Sequence, residues 1–382
     1  MTTYLLAGGG TAGHVNPLLA VADRLRLRDP DATILVLGTA EGLEARLVPA
    51  RGYELLTVPR LPFPRKPNGA ALRFPGRIAG SIRSVRRILA ERRVDVVVGF
   101  GGYAAAPAYL AARRSKVPIV VHEANAKPGM ANVLGSYFTP YVGVVFRSTK
   151  IRHARQVGMP LRVEIETLDR RSKHAEALAF FGLSATKPTV LVTGGSTGAR
   201  RLNDTISRAA PGIIGAGWQI LHITGEKSEL GASSFDDYHL LKYCDRMDLA
   251  LSAADFVVSR SGSATVSELT ALGLPAILVP YPVGNGEQRF NATDVVAAGG
   301  AVLVADADFT PHYVDKTLVA LLQDRAHIAD MAARSSSVGV LDGADRTVDL
   351  VIEAAHSVPK RTASAGPGST RTPPTRTVSE TS

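Results

Sequence analysis

At 382 residues, 45% hydrophobic and 20% charged, the chain has the length of two domains with cores of their own, which excludes a small module or a disordered polypeptide. A single cysteine, Cys244, excludes an internal disulfide framework and a multi-cysteine zinc site. The formal net charge is +10, and the excess is local: residues 60–93 hold ten basic side chains against Glu91 and residues 356–382 hold four against Glu380, which leaves 30 basic and 32 acidic residues elsewhere. A local excess implies a local anionic partner.

Short apolar, β-rich runs at 4–7, 33–37, 95–98, 119–121 and 141–145 alternate with helical patterns at 17–27, 79–91 and 107–113. The rhythm restarts with strands at 189–193, 219–223, 256–258, 276–279 and 301–304, and helices at 203–209, 263–272 and 287–297. Alternation of this kind predicts two α/β domains, each a doubly wound parallel sheet with helices on both faces, joined near 158–162. A last helical pattern around 345–355 fits either half. The tail after it, rich in Pro, Ser, Thr and Gly and without Ile, Leu, Met or aromatic residues, reads as disordered. No apolar run reaches the ~18 residues of a membrane span, and the start lacks a signal-peptide pattern. A soluble, cytosolic protein is expected.

The basic segment interleaves apolar residues: Leu61, Phe63, Leu72, Phe74, Ile78 and Ile82. Nucleic acid is disfavoured, because no nucleic-acid module signature lies nearby. Leu72, Phe74 and Ile78, flanked by Arg73, Arg77 and Arg83, suit a patch lying on anionic lipid; a solvated basic helix packed on its own domain fits the same pattern.

The chemistry is concentrated in glycine loops at strand ends. Gly8-Gly9-Gly10-Thr11-Ala12-Gly13 follows the first strand and opens the first helix, where backbone N–H groups can meet an anion. The spacing satisfies the dinucleotide fingerprint, but the second strand ends Leu37-Gly38-Thr39 with Glu41 too late to take ribose hydroxyls, which lowers that reading in favour of a phosphate or diphosphate loop. His14, just behind it, is either a general base or a hydrogen bonder of the helix start. Gly99-Phe100-Gly101-Gly102-Tyr103 and His122-Glu123-Ala124-Asn125 follow two further strands. In the second half, Thr193-Gly194-Gly195-Ser196-Thr197-Gly198 and the run from Ser259 to Glu268 repeat the device. Ser196 can donate to a phosphate oxygen there. Glu268 either grips a ribose diol or compensates the helix N-terminus. Asp29-Pro-Asp31 and Asp306-Ala-Asp308 read as surface turns rather than metal ligands.

These loops, in this order, resemble the MurG family of bacterial N-acetylglucosaminyltransferases, glycosyltransferase family 28, from about Tyr4 to Ala355. The resemblance rests on Gly9-Gly10-Thr11-Ala12-Gly13-His14, Gly101-Gly102-Tyr103, His122-Glu123-Ala124-Asn125, Gly194-Gly195-Ser196-Thr197-Gly198-Ala199, Arg260-Ser261-Gly262 with Thr265-Val266-Ser267-Glu268, and Glu287-Gln288 with Asn291-Ala292. It implies a GT-B fold, two Rossmann-like domains facing a deep cleft: an acceptor-binding, membrane-associating domain over 1–160, a UDP-sugar domain over 161–339, a C-terminal helix over 340–355 and the tail 356–382. It further implies inverting transfer from UDP-N-acetylglucosamine to the 4-hydroxyl of the N-acetylmuramyl sugar of an undecaprenyl-pyrophosphoryl acceptor, at the cytoplasmic face of the membrane and with no cofactor or metal. By position, Ser196 and Ser263, Ala264, Thr265, Val266 and Ser267 would contact the donor, Glu268 the ribose, Cys244 the uracil, and Glu287 or Gln288 the sugar. Thr11, Ala12, Gly13, Asn125 and Arg162 match further donor-contacting positions. Gly10, Gly101, Gly102 and Tyr103 would take the acceptor's diphosphate, and His14 would be the base, with Glu123 the alternative. Rival readings are a paralogue acting on another glycolipid or natural product, a UDP-sugar 2-epimerase, and a non-catalytic UDP-sugar-binding protein recruited to the membrane.

Overall fold

A computed structural model describes residues 1–62, 69–195, 199–231, 234–283 and 286–357. Phe63, Arg65 and Lys66 of the basic segment, Ser196 of the second-half glycine loop and the tail beyond Ser357 lie outside the described residues.

Among the described residues the chain forms two parallel sheets. Strands β1 (Thr3–Ala7), β2 (Thr33–Gly38), β3 (Glu54–Thr57), β4 (Val96–Gly99), β5 (Ile119–Glu123), β6 (Val142–Val144) and β7 (Ala154–Gln156) run in the order β3-β2-β1-β4-β5-β6-β7. Strands β8 (Thr189–Thr193), β9 (Gln219–Ile223), β10 (Tyr238–Leu241), β11 (Phe256–Ser259), β12 (Ala276–Leu278) and β13 (Ala301–Leu303) run in the order β10-β9-β8-β11-β12-β13. In each sheet the order reverses beside the first strand, between β1 and β4 and between β8 and β11, and a ligand cleft opens at such a switch point. The register pairs Ala7 with Gly99 and Thr193 with Ser259, so the loops leaving these strands stand level with each other.

Alternate residues of each strand face opposite layers, and both layers are apolar. Leu6, Val36 and Val98 enter one core of the first sheet; Leu5, Leu35 and Val97 enter the other. The second sheet divides in the same way, Leu191 and Val257 on one side, Val190 and Val258 on the other. Helices α1 (Ala12–Arg28), α2 (Glu44–Ala50), α3 (Gly69–Glu91), α4 (Ala105–Ser115) and α5 (Met130–Ser136) accompany the first sheet. No helix among the described residues is long and apolar enough to cross a membrane.

Three differences from the sequence reading stand out. Strands β3, β7 and β10 are absent from it, because Glu-Leu-Leu-Thr, Ala-Arg-Gln and Tyr-His-Leu-Leu are largely half-exposed and carry no continuous apolar run. The helix expected over 287–297 is two short helices, Glu287–Asn291 and Thr293–Ala297, separated at Ala292 beside the buried Asn291. The last helix, Gly343–His356, belongs to the first sheet. Its Val348, Leu350, Val351 and Ala354 join Leu6, Leu18, Leu25 and Val98 in one core, and Arg24 of α1 binds both Asp345 (2.5 Å) and Glu166 (2.7 Å). The chain therefore crosses between the sheets twice.

His222 on β9 is buried between the Tyr238 hydroxyl (2.7 Å) and Asn203 Oδ1 (3.1 Å), and burial pushes its imidazole down to about 3. Burial likewise holds His122 on β5 down to about 4. Both stay neutral in the folded chain while the unfolded chain protonates near pH 6.5, so stability is complete above that pH and is lost as the pH falls below it. Each histidine contributes a slope of ~1.4 kcal/mol per pH unit in that window. Urea unfolding midpoints should fall between pH 6.5 and 5, and His222→Gln should remove its share, up to ~1.4 kcal/mol per pH unit, of that slope. An unchanged slope in the variant contradicts the assignment.

Candidate active site

The glycine loops singled out above leave the carboxyl ends of strands, and both sheets present those ends to one cleft. On the first sheet, Gly8-Gly9-Gly10 turns the chain from β1 into α1, with Thr11 as the residue before the helix; the N–H groups of His14 and Val15 bond its carbonyl. His14 lies in the first turn, Nδ1 3.3 Å from the Thr11 hydroxyl. The loop after β4 folds down on the first: a Cβ at Gly102, whose φ is +78°, would meet the Gly9 carbonyl at 2.5 Å, and one at Gly101 would meet His14 Nε2 at 3.1 Å. Tyr103 carries the Arg60 guanidinium over its ring at 5.0 Å.

Glu123, at the end of β5, is 2% exposed and bound on both oxygens, by the N–H groups of Asn125 and Gly129 and by the Asn132 amide, each at 2.9 Å. Burial raises its carboxyl and these bonds only partly offset that. It shapes the turn that carries Asn125, with both oxygens engaged by donors of its own loop and of Asn132. His122 behind it has Nε2 3.3 Å from the Gly158 carbonyl.

The first loop requires a correction. It was expected to offer its N–H groups to an acceptor diphosphate, but the Gly10 N–H already donates to Glu44 Oε2 at 2.8 Å. Glu44, the first residue of α2, is fully buried and was not singled out from the sequence. The available signal is Gly38-Thr39 and Gly42 closely preceding a glutamate. His14 itself is lowered from its ordinary value by burial, against which the Gly9 carbonyl, Glu44 and Glu287 pull upward. Its imidazole is neutral near pH 7 and able to accept a proton.

On the second sheet, Gly262 precedes the Ser263–Ala271 helix, and the first intrahelical bond runs from Val266 N–H to the Gly262 carbonyl. The N–H groups of Ser263, Ala264 and Thr265 have no partner within the helix and face its N-terminal end. The Val266 side chain is in the core, and the Ser267 hydroxyl bonds the Ser263 carbonyl at 2.8 Å. Glu268, one turn in, accepts from Arg162 at 3.2 Å; burial raises its carboxyl and Arg162 opposes the rise. Cys244 is half-buried at the edge of the same core, its thiol raised by burial. Asp306, of the Asp-Ala-Asp spacing, pairs with Arg260 at 2.6 Å and Arg201 at 3.7 Å. Among the described residues no group of three or more potential ligating side chains could hold a metal ion.

The two sides are tied across the cleft by Asn291. Its Oδ1 accepts the Ala126 N–H at 2.9 Å, while its amide donates to Asn125 Oδ1 and to the Ser261 carbonyl, each at 3.3 Å. The Lys127 ammonium stands 5.7 Å from the Phe290 ring, also across the cleft. Glu287 is close enough to raise the affinity of His14 for a proton. Gln288 accepts the Tyr281 N–H at 2.9 Å. The structure thus joins Asn125 to Asn291 across the cleft and sets Glu287 within electrostatic reach of His14, with Arg162, Glu268 and the 263–265 N–H groups on the second-sheet wall.

Two Rossmann-like sheets facing one cleft lined by glycine loops define a two-domain, GT-B type glycosyltransferase fold. The N-terminal domain of glycosyltransferase family 28 matches residues 4–143 and the C-terminal domain of that family matches 189–347. A UDP-N-acetylglucosamine--N-acetylmuramyl-(pentapeptide) pyrophosphoryl-undecaprenol N-acetylglucosamine transferase from Leifsonia xyli is 64% identical over 92% of this chain and 98% of its own. The crystal structure of MurG from Acinetobacter baumannii superposes with a TM-score of 0.77 at 27% identity, covering 92% of this chain and all of that one (100%). A UDP-GlcNAc 2-epimerase from Neisseria meningitidis, at 16% identity and a TM-score of 0.65 over 92% of this chain and 100% of its own, shares the fold alone. The chain belongs to glycosyltransferase family 28.

Glu123→Gln tests the structural role of that carboxylate. It should lose about 1–3 kcal/mol in urea unfolding, since an amide cannot accept all three N–H donors. The acid limb of the pH–rate profile should keep its position. Disappearance of that limb would make Glu123 the base.

Proposed function

We propose that this chain transfers N-acetylglucosamine from UDP-N-acetylglucosamine to the 4-hydroxyl of the N-acetylmuramyl sugar of an undecaprenyl-pyrophosphoryl-pentapeptide acceptor, with inversion, in peptidoglycan synthesis. The carrying observation is that Asn125 and Ala126 of the first sheet bond Asn291 of the second across the cleft, with His14 within electrostatic reach of Glu287 there; the printed names of the relatives support the choice of substrates. His14 takes the proton of the attacking hydroxyl as its oxygen bonds to the anomeric carbon and the carbon–oxygen bond to the diphosphate breaks. UDP leaves with the bonding electrons, its charge met by the 263–265 N–H groups. Glu268 and Arg162 hold the nucleotide end, Cys244 borders the uracil, and Asn125, Glu287 and Gln288 read the sugar, with the Thr11–Gly13 backbone closing over it. On this reading residues 1–160 bind the acceptor and 161–339 the donor, and Gly101, Gly102 and Tyr103, with Arg60 beside them, meet the acceptor's diphosphate.

The same reading gives α3 its partner. Leu72 is 86% exposed on this helix, beside the exposed Arg73, Arg77 and Arg83, which suits docking on the anionic cytoplasmic face of the cell membrane, where a lipid-linked acceptor resides. An epimerase has no use for such a face.

The test is UDP release from UDP-N-acetylglucosamine with and without a lipid-linked N-acetylmuramyl acceptor. UDP should appear only with acceptor and fall by ~10²–10⁴-fold in His14→Ala, the range of general-base catalysis. Surviving turnover in the variant removes His14 as base, and donor binding without turnover removes the transferase reading. With kcat/KM, the acid limb should lie below pH ~6.5, following the lowered His14. In vesicle sedimentation, Arg73→Glu with Arg77→Glu should weaken binding to anionic vesicles about tenfold or more, each charge near such a surface contributing ~1 kcal/mol.

A further inference from the structure

Beneath the first glycine loop lies a carboxylate that the proposed reaction does not use. Glu44 is fully buried; Oε2 accepts the Gly10 N–H, and Oε1 accepts both the N–H and the hydroxyl of Thr39, all at 2.8 Å. Three glycines form its walls. A Cβ at Gly9, Gly38 or Gly42 would lie 2.2, 2.5 or 2.1 Å from the Glu44 side chain. Burial opposes its charge, but the bonds from Gly10, Thr39 and its own N–H outweigh that and hold the carboxyl below its ordinary value. A glycine loop at a helix start is suited to an external anion, and here the anion comes from the chain.

We propose that Glu44 is a built-in anion that fixes the first glycine loop and, through Gly10 and Thr11, sets the position and electrostatic surroundings of the His14 ring. It is a positioning residue, and its catalytic consequence rests on His14 being the base. Gly10 is the link: Glu44 holds its N–H, and the next residue, Thr11, accepts the His14 N–H on its carbonyl and lies with its hydroxyl 3.3 Å from the imidazole Nδ1. The charged or titratable groups bearing on His14 are Glu44 from α2, Glu287 from across the cleft and the neutral His122 from β5. Burial alone would leave the imidazole a weak base; a fixed negative charge restores part of its basicity while remaining out of the substrate's reach.

The test compares Glu44→Gln, Glu44→Asp and Thr39→Val with wild type by two readouts: NMR titration of His14, assigned by its loss in His14→Gln, and the pH dependence of kcat/KM with UDP-N-acetylglucosamine and a lipid-linked acceptor. Glu44→Gln removes the charge, so His14 should titrate ~0.5–1 pH unit lower and the acid limb should move with it. Its kcat should fall about tenfold or more as the loop loosens, with the donor KM changing much less. Glu44→Asp keeps the charge but withdraws it from Gly10, so kcat should fall while the limb moves less than in Glu44→Gln. Thr39→Val removes one bond at constant charge and should do the same more mildly, which keeps the test alive if Glu44→Gln does not fold. An unchanged His14 titration in folded Glu44→Gln overturns the electrostatic role. Wild-type kcat in both Glu44→Asp and Thr39→Val overturns the positioning role. A shifted titration with activity surviving in His14→Ala supports Glu44's action on the ring and overturns only the base assignment.

Discussion

The cleft depends on a backbone-to-backbone seam where the chain crosses twice between its two sheets. The outward crossing passes Gly158 and Met159, and the return passes Gly339 to Gly343. A Cβ at Gly343 would stand 2.2 Å from the Met159 carbonyl, and one at Gly158 would stand 2.4 Å from Val340. At one end of the seam Arg24 grips Glu166 and Asp345 together. Alongside it, Ala126, Val145, Phe146 and Met159 share a core with Leu249, Val266 and Val295. The strand tips face one another because this seam leaves the two sheets little freedom to turn apart, and Asn291 can then bridge what remains of the gap.

Within the cleft much of the polar equipment is internally engaged. Glu44 and Glu123 are both buried carboxylates that collect backbone N–H groups, and Arg260 is turned inward to Asp306 and to the Val279 and Pro280 carbonyls. Such groups hold loops in one shape. On the proposed reaction they let His14, Asn125, the Arg162–Glu268 pair and the first-turn N–H groups of the 263–271 helix act without rearranging. Electrostatic stabilisation is strong when dipoles are fixed before charge develops, and the buried carboxylates supply that fixity at a cost in desolvation that their N–H partners offset.

The two-sheet fold was legible because strands buried on both faces read as continuous apolar runs: Thr189–Thr193 and Gln219–Ile223 match the sequence reading end to end. Edge strands such as Ala154–Gln156 were not, since backbone pairing alone holds them and their side chains give no period. The glycine loops were legible as loops. What each N–H bonds was not, because Gly10 meets a partner 34 positions away and the choice is made by tertiary packing. For the same reason the side-chain directions of Val266, into the core, and of Ser267, onto the Ser263 carbonyl, could not be read from spacing. The affiliation of the last helix was open in sequence, and the apolar stripe of Val348, Val351 and Ala354 fits only because α1 presents a matching one.

That helix also gives the molecule a timetable. The first sheet is finished in sequence at Gln156, yet part of its core, around Leu18 and Val98, is closed only by residues that begin about 180 positions after the first crossing. At ~5–20 residues per second, a ribosome needs on the order of 10–40 s to deliver them. During that interval the N-terminal half stands with one apolar flank uncovered, while the C-terminal sheet, complete before the helix emerges, can already fold. Emergence of the last helix, rather than synthesis of either sheet, is therefore the event that closes the first domain.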